Sequence, residues 1–350
     1  MLCLRRLLAP AFVLAATSVS LFGCSGAGPT SVPPPVLQQN LAAGRASASP
    51  SPGLIFAADA GKPGREPGAV YAYANTGKGQ SPKWSLSGLP IDHPDGLWVD
   101  GSGNLYVADE SGYVFEYNAP TESKAPGKPN FTYDDPGYLP NHVAKCGKYL
   151  YASDEMSIPK GTAAITVWTI GQAKPIAVVT GNYATEEALG YGISCDAAGN
   201  VFFAYNTQSN DSAGFVDEYA PGATGTPTTL CLTGTFLQGL TFNASYESFV
   251  TFDTYNGEYN GPAFEFYKPS KCAPIRAIGA IDWIFSPHGF AYEAGDTALW
   301  DADSGSVATS GALHRFDPKT GELLNTIASA GTGKKFIDLS DVAVSPADHR

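Results

Sequence analysis

The chain has 350 residues and a formal net charge of −12, and only 15% of its residues are charged. It contains 39 Gly, 27 Pro and 12% aromatic residues, which is typical of many short strands joined by turns and argues against a mainly helical protein. An acidic chain of this kind is a poor candidate for nucleic-acid binding, because phosphates require a basic surface. We therefore expect an all-β protein without a nucleic-acid partner.

The first 23 residues predict a bacterial export signal. Arg5 and Arg6 precede an apolar segment, 7–22, that is too short to cross a bilayer comfortably. The segment is followed by Gly-Cys, and Leu-Phe-Gly-Cys resembles the lipobox of bacterial lipoproteins. The resemblance implies that Cys24 carries lipid, including acyl chains such as palmitate, which would anchor the protein to a periplasm-facing membrane leaflet or to the cell surface. The alternative is an ordinary secretory signal in which Cys24 has no role.

Residues 24–52 are rich in Ser, Pro, Gly and Ala and have no periodic apolar face. This composition is typical of a flexible tether that holds a folded domain away from a surface. We therefore divide the chain into a lipoprotein signal peptide at 1–23, a tether at 24–52 and one folded domain at 53–350.

A short apolar run that ends in an acid or an amide occurs six times in the folded domain. The copies are LIFAAD at 54–59, NLYVAD at 104–109, YLYASD at 149–154, VFFAYN at 201–206, SFVTFD at 248–253 and ALWDAD at 298–303. A strand and a tight turn precede most copies, and two further strands follow, as in PDGLWVDGSGNLYVAD and then YVFEYNAP. Four strands in roughly 50 residues, repeated along the chain, are typical of β-propeller blades.

The two ends of the folded domain complement each other. The first copy, at 54–59, has no strand before it, and the last inner strand, SDVAVSP at 340–346, has no strands after it. Pairing of these two segments would close the ring and remove the open edge of the sheet. The sequence therefore predicts an all-β, six-bladed β-propeller with four-stranded antiparallel blades, in which the C-terminal strand joins the N-terminal blade.

Two positions recur in the repeats, and both have a structural interpretation. The acid or amide that ends the second strand is expected to accept hydrogen bonds from the following turn; these residues are Asp59, Asp109, Asp154, Asn206, Asp253 and Asp303. The aromatic residue near the end of the third strand is expected to fill the wedge between blades; these residues are Tyr73, Tyr117, Trp168, Tyr219, Tyr267 and Phe316. Asp301 and Asp303 resemble calcium-loop spacing but lack the later Glu, so we interpret both as turn acids.

Four of the six cysteines lie in the folded domain, and no C-x-x-C motif is present. An even number is expected to pair in an exported protein. In the predicted register, Cys146 and Cys195 lie near the ends of innermost strands in adjacent blades, and Cys231 and Cys272 lie on fourth strands in adjacent blades. We therefore predict the disulfides Cys146–Cys195 and Cys231–Cys272, with buried free thiols as the alternative.

Residues 94–119 resemble two families of propellers. PDGLWVDGSGNLYVAD is similar to the NHL repeat, and its P-D-G start is similar to the six-bladed gluconolactonase and senescence-marker family. The second resemblance implies one divalent cation, usually Ca²⁺, held by a Glu, an Asn and the Asp of P-D-G, which polarises a lactone carbonyl. Asp95 matches that Asp, His288 stands where the Asn would be, and no E-G-P motif supplies the Glu. The resemblance thus implies an incomplete metal site.

The residue before each innermost strand is predicted to face the central channel. These residues are Asp95, His142, Tyr191, Gln238, His288 and Asp341, with His93 and Asn141 beside them. Acids and histidines around one axis can bind a cation or a small polar ligand, and the candidate metal ligands are Asp95, His288 and Asp341. The alternative is a polar channel in which these groups bind one another and ordered water.

Two functions remain open at this point. The first is a binding or scaffold propeller on the cell envelope, whose partner is a protein, a glycan or a small molecule; TYNGEYNGP at 254–262 offers Tyr and Asn side chains for such a partner. The second is a metal-dependent, lactonase-like hydrolase with its site at the channel mouth. No catalytic residue is assigned, and the incomplete ligand set favours binding.

Overall fold

The computed structural model describes residues 53–62, 65–75, 81–157, 162–182, 188–207, 214–233, 237–256, 261–269, 274–279, 287–305, 310–331 and 333–345. Within these ranges the side chains of 155–157, 231–233, 253–256 and 261–262 are outside the description. The predicted signal, tether and lipidated Cys24 all lie outside the described residues. The described part of the chain contains no helix that is both long and apolar enough to span a membrane.

The described residues form six antiparallel sheets of four strands each, and each sheet is one blade. Blade 1 contains β24 (Leu339–Ser345), β1 (Leu54–Asp59), β2 (Ala69–Ala74) and β3 (Trp84–Ser87). Blade 2 contains β4 (Pro94–Val99), β5 (Leu105–Asp109), β6 (Tyr113–Tyr117) and β7 (Phe131–Asp134). Blade 3 contains β8 (Tyr138–Cys146), β9 (Tyr149–Ser157), β10 (Ala164–Thr169) and β11 (Ala177–Thr180).

The remaining three blades follow the same order. Blade 4 contains β12 (Leu189–Cys195), β13 (Val201–Asn206), β14 (Gly214–Ala220) and β15 (Thr224–Thr233). Blade 5 contains β16 (Leu237–Phe242), β17 (Phe249–Asn256), β18 (Gly261–Tyr267) and β19 (Pro274–Gly279). Blade 6 contains β20 (Pro287–Tyr292), β21 (Leu299–Asp303), β22 (Ala312–Phe316) and β23 (Leu323–Ile327), with a 3₁₀ turn at Ala294–Asp296.

The ring closes as the sequence predicts. Strand β24 pairs antiparallel with β1, so that Ser345 lies opposite Leu54 and Val342 opposite Ala57. The innermost strands contact one another in the cyclic order β4, β8, β12, β16, β20 and β24, and β24 contacts β4. The six-bladed β-propeller with a C-terminal closing strand is therefore confirmed.

Apolar side chains pack into six buried clusters, one between each pair of neighbouring blades in the described residues. Each strand of a blade sends alternate side chains to its two faces, so both faces of a central strand are buried. The aromatic residues predicted to fill these wedges are all buried, with at most 2% of each exposed: Tyr73, Tyr117, Trp168, Tyr219, Tyr267 and Phe316. Their role in the inter-blade core is confirmed.

A disulfide joins Cys146 to Cys195, as predicted. Cys146 is the last residue of β8 and Cys195 is the last residue of β12, so the bond links the innermost strands of blades 3 and 4. The second predicted pair, Cys231–Cys272, lies outside the description, because neither side chain is among the described ones.

Candidate functional site

The innermost strands are irregular close to their first residues. In five of them one residue has no partner on the second strand, which is the geometry of a β-bulge; these residues are Asp95, Asn141, Tyr191, His288 and Ser340. In β16 the extra residue falls between Gln238 and Thr241. A bulge turns a side chain away from the face to which the regular alternation would send it. Here it brings polar side chains to the axis of the ring.

The bulged residues line a cavity of about 260 Å³ at the start of the innermost strands, which we call the mouth cavity. Each of the six blades contributes one residue from its innermost strand: Asp95, Asn141, Tyr191, Gln238, His288 and Ser340. The other lining residues are Ala60, Gly61, His93, Glu110 and Asp338. The cavity therefore exists only because the ring is closed.

Four of the six residues predicted to face the channel line the mouth cavity, namely Asp95, Tyr191, Gln238 and His288. The other two, His142 and Asp341, are displaced by one position, and their places are taken by Asn141 and Ser340. The reason is the bulge, which adds one residue to the strand before regular pairing resumes at His142 and Asp341. Both displaced side chains are buried, with 8% and 4% exposed.

His142 is buried next to the mouth cavity and is held by its neighbours. Its backbone N–H donates to Ser153 Oγ over 3.2 Å, and its Nδ1 contacts Asn141 Oδ1. Burial lowers the pKa of His142 to about 3; the charge of His288 acts in the same direction, and a hydrogen bond with the backbone of His288 acts against it. Burial also lowers the pKa of His288 to about 4. Both imidazoles are therefore neutral at pH 7.

Asp341 ties two blades together. Its Oδ2 accepts a hydrogen bond of 2.7 Å from the backbone N–H of Leu97 in blade 2, and its Oδ1 accepts one of 2.8 Å from Val342. Burial raises the pKa of Asp341 to about 8, although both hydrogen bonds act in the opposite direction. A carboxyl group used in this way has a structural role at the joint between blades 1 and 2.

The structure does not bring the three candidate metal ligands together at the mouth cavity. Nowhere in the described part of the chain do three His, Cys, Asp or Glu side chains lie close enough together to hold a metal ion. The set Asp95, His288 and Asp341 is also split by the bulge, since Asp341 does not line the mouth cavity. The candidate ligands Asp95, His288 and Asp341 therefore do not all face the mouth cavity, and no chemical step is derived through a metal.

Gln238 is the side chain in the mouth cavity that most directly indicates a ligand. It is 7% exposed and lines the cavity, yet its Oε1 has no hydrogen-bond partner. A buried carbonyl oxygen that stays unsatisfied costs about 1–3 kcal/mol of folding free energy. The described residues thus leave this acceptor beside the cavity without a hydrogen-bond partner.

Two acids that line the cavity, Glu110 and Asp338, were not predicted from the sequence. Glu110 directly follows the recurring acid Asp109, so its position in the repeat is a signal that could have identified it. Asp338 directly precedes β24, and its exposed side chain belongs to the loop that leads into the closing strand. The mouth cavity is lined by residues that follow a second strand of a blade as well as by residues at the start of an innermost strand. Both acids occupy such positions in the repeat.

A second cavity, of about 510 Å³, lies at the other ends of three innermost strands. Its lining includes Trp98, Tyr149 and the Cys146–Cys195 disulfide. The charged groups in it already have partners: Lys145 Nζ lies 2.5 Å from Asp100 Oδ2, and Asp100 accepts hydrogen bonds from the N–H groups of its own turn. We assign no function to this cavity.

Comparisons with known proteins show the fold and no family. No protein-family model matches the sequence, and no curated protein matches it significantly. Among solved structures, a Bacteroides fragilis NCTC 9343 protein described as a putative 6-phosphogluconolactonase is similar with a TM-score of 0.53 and 14% identity, over 80% of this chain and 82% of that chain. A Bacteroides caccae protein of unknown function is similar with a TM-score of 0.56 and 11% identity, over 84% and 99%. Identities this low support a shared propeller architecture only.

Proposed function

We propose that this protein binds a small polar molecule in the mouth cavity, as an exported propeller anchored to the cell envelope through Cys24. Support for the anchor is the sequence of residues 1–24. Support for binding is one observation, the buried and unsatisfied Oε1 of Gln238 in a cavity to which all six blades contribute. A donor on the ligand would satisfy this oxygen and recover the free energy that its burial costs.

The size of the mouth cavity limits the ligand. Pockets that enclose drug-sized molecules have roughly 300–1,000 Å³. The mouth cavity has about 260 Å³, so its ligand is smaller than a typical drug. Its lining is mostly polar, with carboxylate, amide, imidazole and hydroxyl groups, so the ligand carries several hydrogen-bonding groups.

A second candidate is a lactonase-like hydrolase, which the sequence predicts to depend on a metal ion. The observation in its favour is the likeness to the Bacteroides fragilis protein described as a putative 6-phosphogluconolactonase. Two features of this chain oppose it. The described residues hold no group of three His, Cys, Asp or Glu side chains that could bind a metal ion, and the described lining of the mouth cavity includes carboxylates but no Lys or Arg to receive a phosphate. We therefore rank binding first.

The test is a binding survey with the full-length protein purified in detergent. Isothermal titration calorimetry is run against a panel of hexoses, sugar lactones, short amines, short diols and short dicarboxylates. We expect at least one class to bind, and we expect Gln238→Leu to weaken that binding on the order of tenfold, because one hydrogen bond in a buried site is worth about 1.4 kcal/mol. Gln172→Leu is the matched control, since Gln172 is exposed in the β10–β11 turn.

Two results would contradict the proposal. One is a panel in which nothing binds, which would favour a water-filled channel. The other is a ligand whose affinity is the same for the wild type and for Gln238→Leu. Turnover of a sugar lactone in the same survey, lost in Asp95→Asn but kept in Gln172→Leu, would place the hydrolase first.

A further inference from the structure

We infer that the ligand of the mouth cavity is a neutral molecule with a hydrogen-bond donor at each end, such as a diol, which spans the cavity between Gln238 and His93. This inference rests on the proposed binding function and names the chemical class that the cavity selects. The reason is that the lining contains two buried acceptors without a hydrogen-bond partner in the described residues.

The two acceptors lie on opposite sides of the ring. Among the described lining residues, the buried side-chain atoms without a hydrogen-bond partner are Gln238 Oε1 and His93 Nε2. Gln238 lies on β16 in blade 5, and His93 directly precedes β4 in blade 2. These two innermost strands are three places apart in the cyclic order of six, so their residues reach the cavity from opposite blades.

His93 is held in place by its other polar atoms. Its backbone N–H donates to Asp109 Oδ2 over 3.1 Å, and its carbonyl oxygen accepts a hydrogen bond of 3.0 Å from the N–H of Glu110. Its Nδ1 lies 3.4 Å from Asp92 Oδ2. An Nδ1–H that faces a carboxylate leaves Nε2 of the neutral ring as an acceptor. His93 Nε2 therefore requires a donor, as Gln238 Oε1 does.

The charged groups of the lining already have interactions, so they do not require a charged ligand. Asp95, Glu110 and His288 each interact with another group of the protein. Burial raises the pKa of Asp338, and the charge of nearby Lys62 acts in the opposite direction. An ionic ligand would lose its hydration without gaining an unpaired counter-charge. A neutral ligand with two donors satisfies both acceptors and brings no charge into the cavity.

The experiment removes the donors of a rigid ligand one at a time. The probes are trans-1,4-cyclohexanediol, whose hydroxyl groups lie at opposite ends of a ring, and its monomethyl and dimethyl ethers. The ethers keep both oxygen atoms and lose one or two donors. Isothermal titration calorimetry is run with the full-length protein in detergent at pH 8. We expect each lost donor to weaken binding on the order of tenfold, because it leaves one buried acceptor unsatisfied.

Two further sets of probes test the spacing of the donors and the charge of the ligand. In trans-1,2-cyclohexanediol the hydroxyl groups are adjacent and cannot reach opposite blades, so we expect it to bind like the monomethyl ether. The charged analogues are trans-1,4-diaminocyclohexane and trans-1,4-cyclohexanedicarboxylate, which keep the ring and the positions of the substituents. We expect both to bind more weakly than the diol by about tenfold or more, because their desolvation is not compensated.

Variants of the two acceptors test whether both ends of the ligand are used. In Gln238→Leu and in His93→Phe one acceptor remains, so we expect the diol and its monomethyl ether to bind each variant equally. Gln172 is exposed in the β10–β11 turn, and Gln172→Leu is the control that should keep the wild-type ratio. If a cavity variant unfolds at a lower temperature than the wild type, Gln238→Met or His93→Leu replaces it. A purely structural role would weaken both probes and leave their ratio unchanged.

The outcomes separate this inference from the proposed function. If the monomethyl ether or a charged analogue binds the wild type as tightly as the diol does, and Gln238→Leu weakens that binding, the inference is wrong and the binding function stands. If the diol binds the wild type and His93→Phe equally, the inference is also wrong. The same holds if only another member of the wider panel binds. If nothing binds, the proposed function and the inference both fail, and water is the partner of both acceptors.

Discussion

Asp109 shows how a single carboxylate positions the mouth of the channel. Its Oδ2 accepts hydrogen bonds from the backbone N–H groups of Asp92 and His93, and its Oδ1 accepts one from Ser111. Asp59 accepts hydrogen bonds from the backbone N–H groups of Ile337 and Asp338, which precede β24, and from that of Gly61, which follows β1. In blades 1 and 2 the recurring acid therefore ties the turn that follows it, as predicted, and also the loop that leads into the innermost strand of the same blade.

The recurring acid of blade 3 is different, because it meets a second carboxyl group. Thr166 Oγ1 lies 2.8 Å from Asp154 Oδ2 and 3.0 Å from Asp135 Oδ1. Burial raises the pKa of Asp135 to about 6, and burial together with the charge of Asp135 raises the pKa of Asp154 well above its usual range. The two acids therefore compete for ionisation inside the core.

This pair predicts a pH dependence of stability. Both acids hold protons in the folded protein at pH values where they are ionised in the unfolded chain, so their contribution is fully present below pH 3.8. The contribution of Asp135 is lost as pH rises through about 6, and that of Asp154 is lost as pH rises through its own raised pKa. We expect Asp154→Asn to reduce the fall in the free energy of unfolding between pH 4 and pH 7, because the amide cannot ionise. Urea denaturation at pH 4, 5, 6 and 7 measures the free energy of unfolding, with exposed Asp92→Asn as the control. If this free energy falls equally with pH in the wild type and in Asp154→Asn, the prediction is wrong.

At the scale of the element, the innermost strands come so close together that glycine is required between them. A Cβ on Gly96 would overlap the carbonyl oxygen of Asn141 and lie 2.5 Å from the Cα of His142. A Cβ on Gly289 would overlap the carboxylate of Asp341. The glycine of the P-D-G start is thus explained by packing of one blade against the next, and it needs no ligand.

The disulfide between β8 and β12 also acts at this scale. It closes a loop between residues 49 positions apart, so its removal is expected to lower the free energy of unfolding by about 2–4 kcal/mol. The double variant Cys146→Ser with Cys195→Ser tests this by urea denaturation against the oxidised wild type. Ligand binding in the mouth cavity should survive in the variant, because the disulfide lies at the other ends of these strands. Equal stability of the two proteins would show that the bond contributes nothing.

At the scale of the whole molecule, β24 decides whether the ring exists. It pairs with β1, and its Leu339, Val342 and Val344 belong to the apolar cluster between blades 6 and 1. It also contributes Ser340 to the mouth cavity and Asp341 to the joint with blade 2. One strand therefore completes a sheet, a core and the candidate site.

Deletion of residues 339–350 should abolish cooperative folding, because it exposes an apolar cluster and leaves an unpaired edge on β1. Deletion of residues 346–350 is the matched control and should leave the thermal transition unchanged, since β24 ends at Ser345. Near-ultraviolet circular dichroism during heating measures both. A sharp thermal transition and intact ligand binding in the variant that lacks residues 339–350 would contradict the role given to β24.

The sequence by itself determined the number of blades, the closing strand, the inter-blade aromatic residues and the Cys146–Cys195 bond. Each of these depends on a period of about 50 residues and on local strand patterns, both of which are visible in one chain. Asp95, Tyr191, Gln238 and His288 could be placed at the mouth for the same reason.

Only the tertiary structure decided which residues complete the site. A bulge adds a single residue without changing the apolar pattern, so Asn141 and Ser340 reach the mouth cavity in place of His142 and Asp341. The unsatisfied oxygen of Gln238 and the neutral state of His288 could not be predicted from the sequence either, because both depend on burial by strands that are distant in the chain. Local pattern specifies the strands, whereas the register between them specifies the chemistry at the axis.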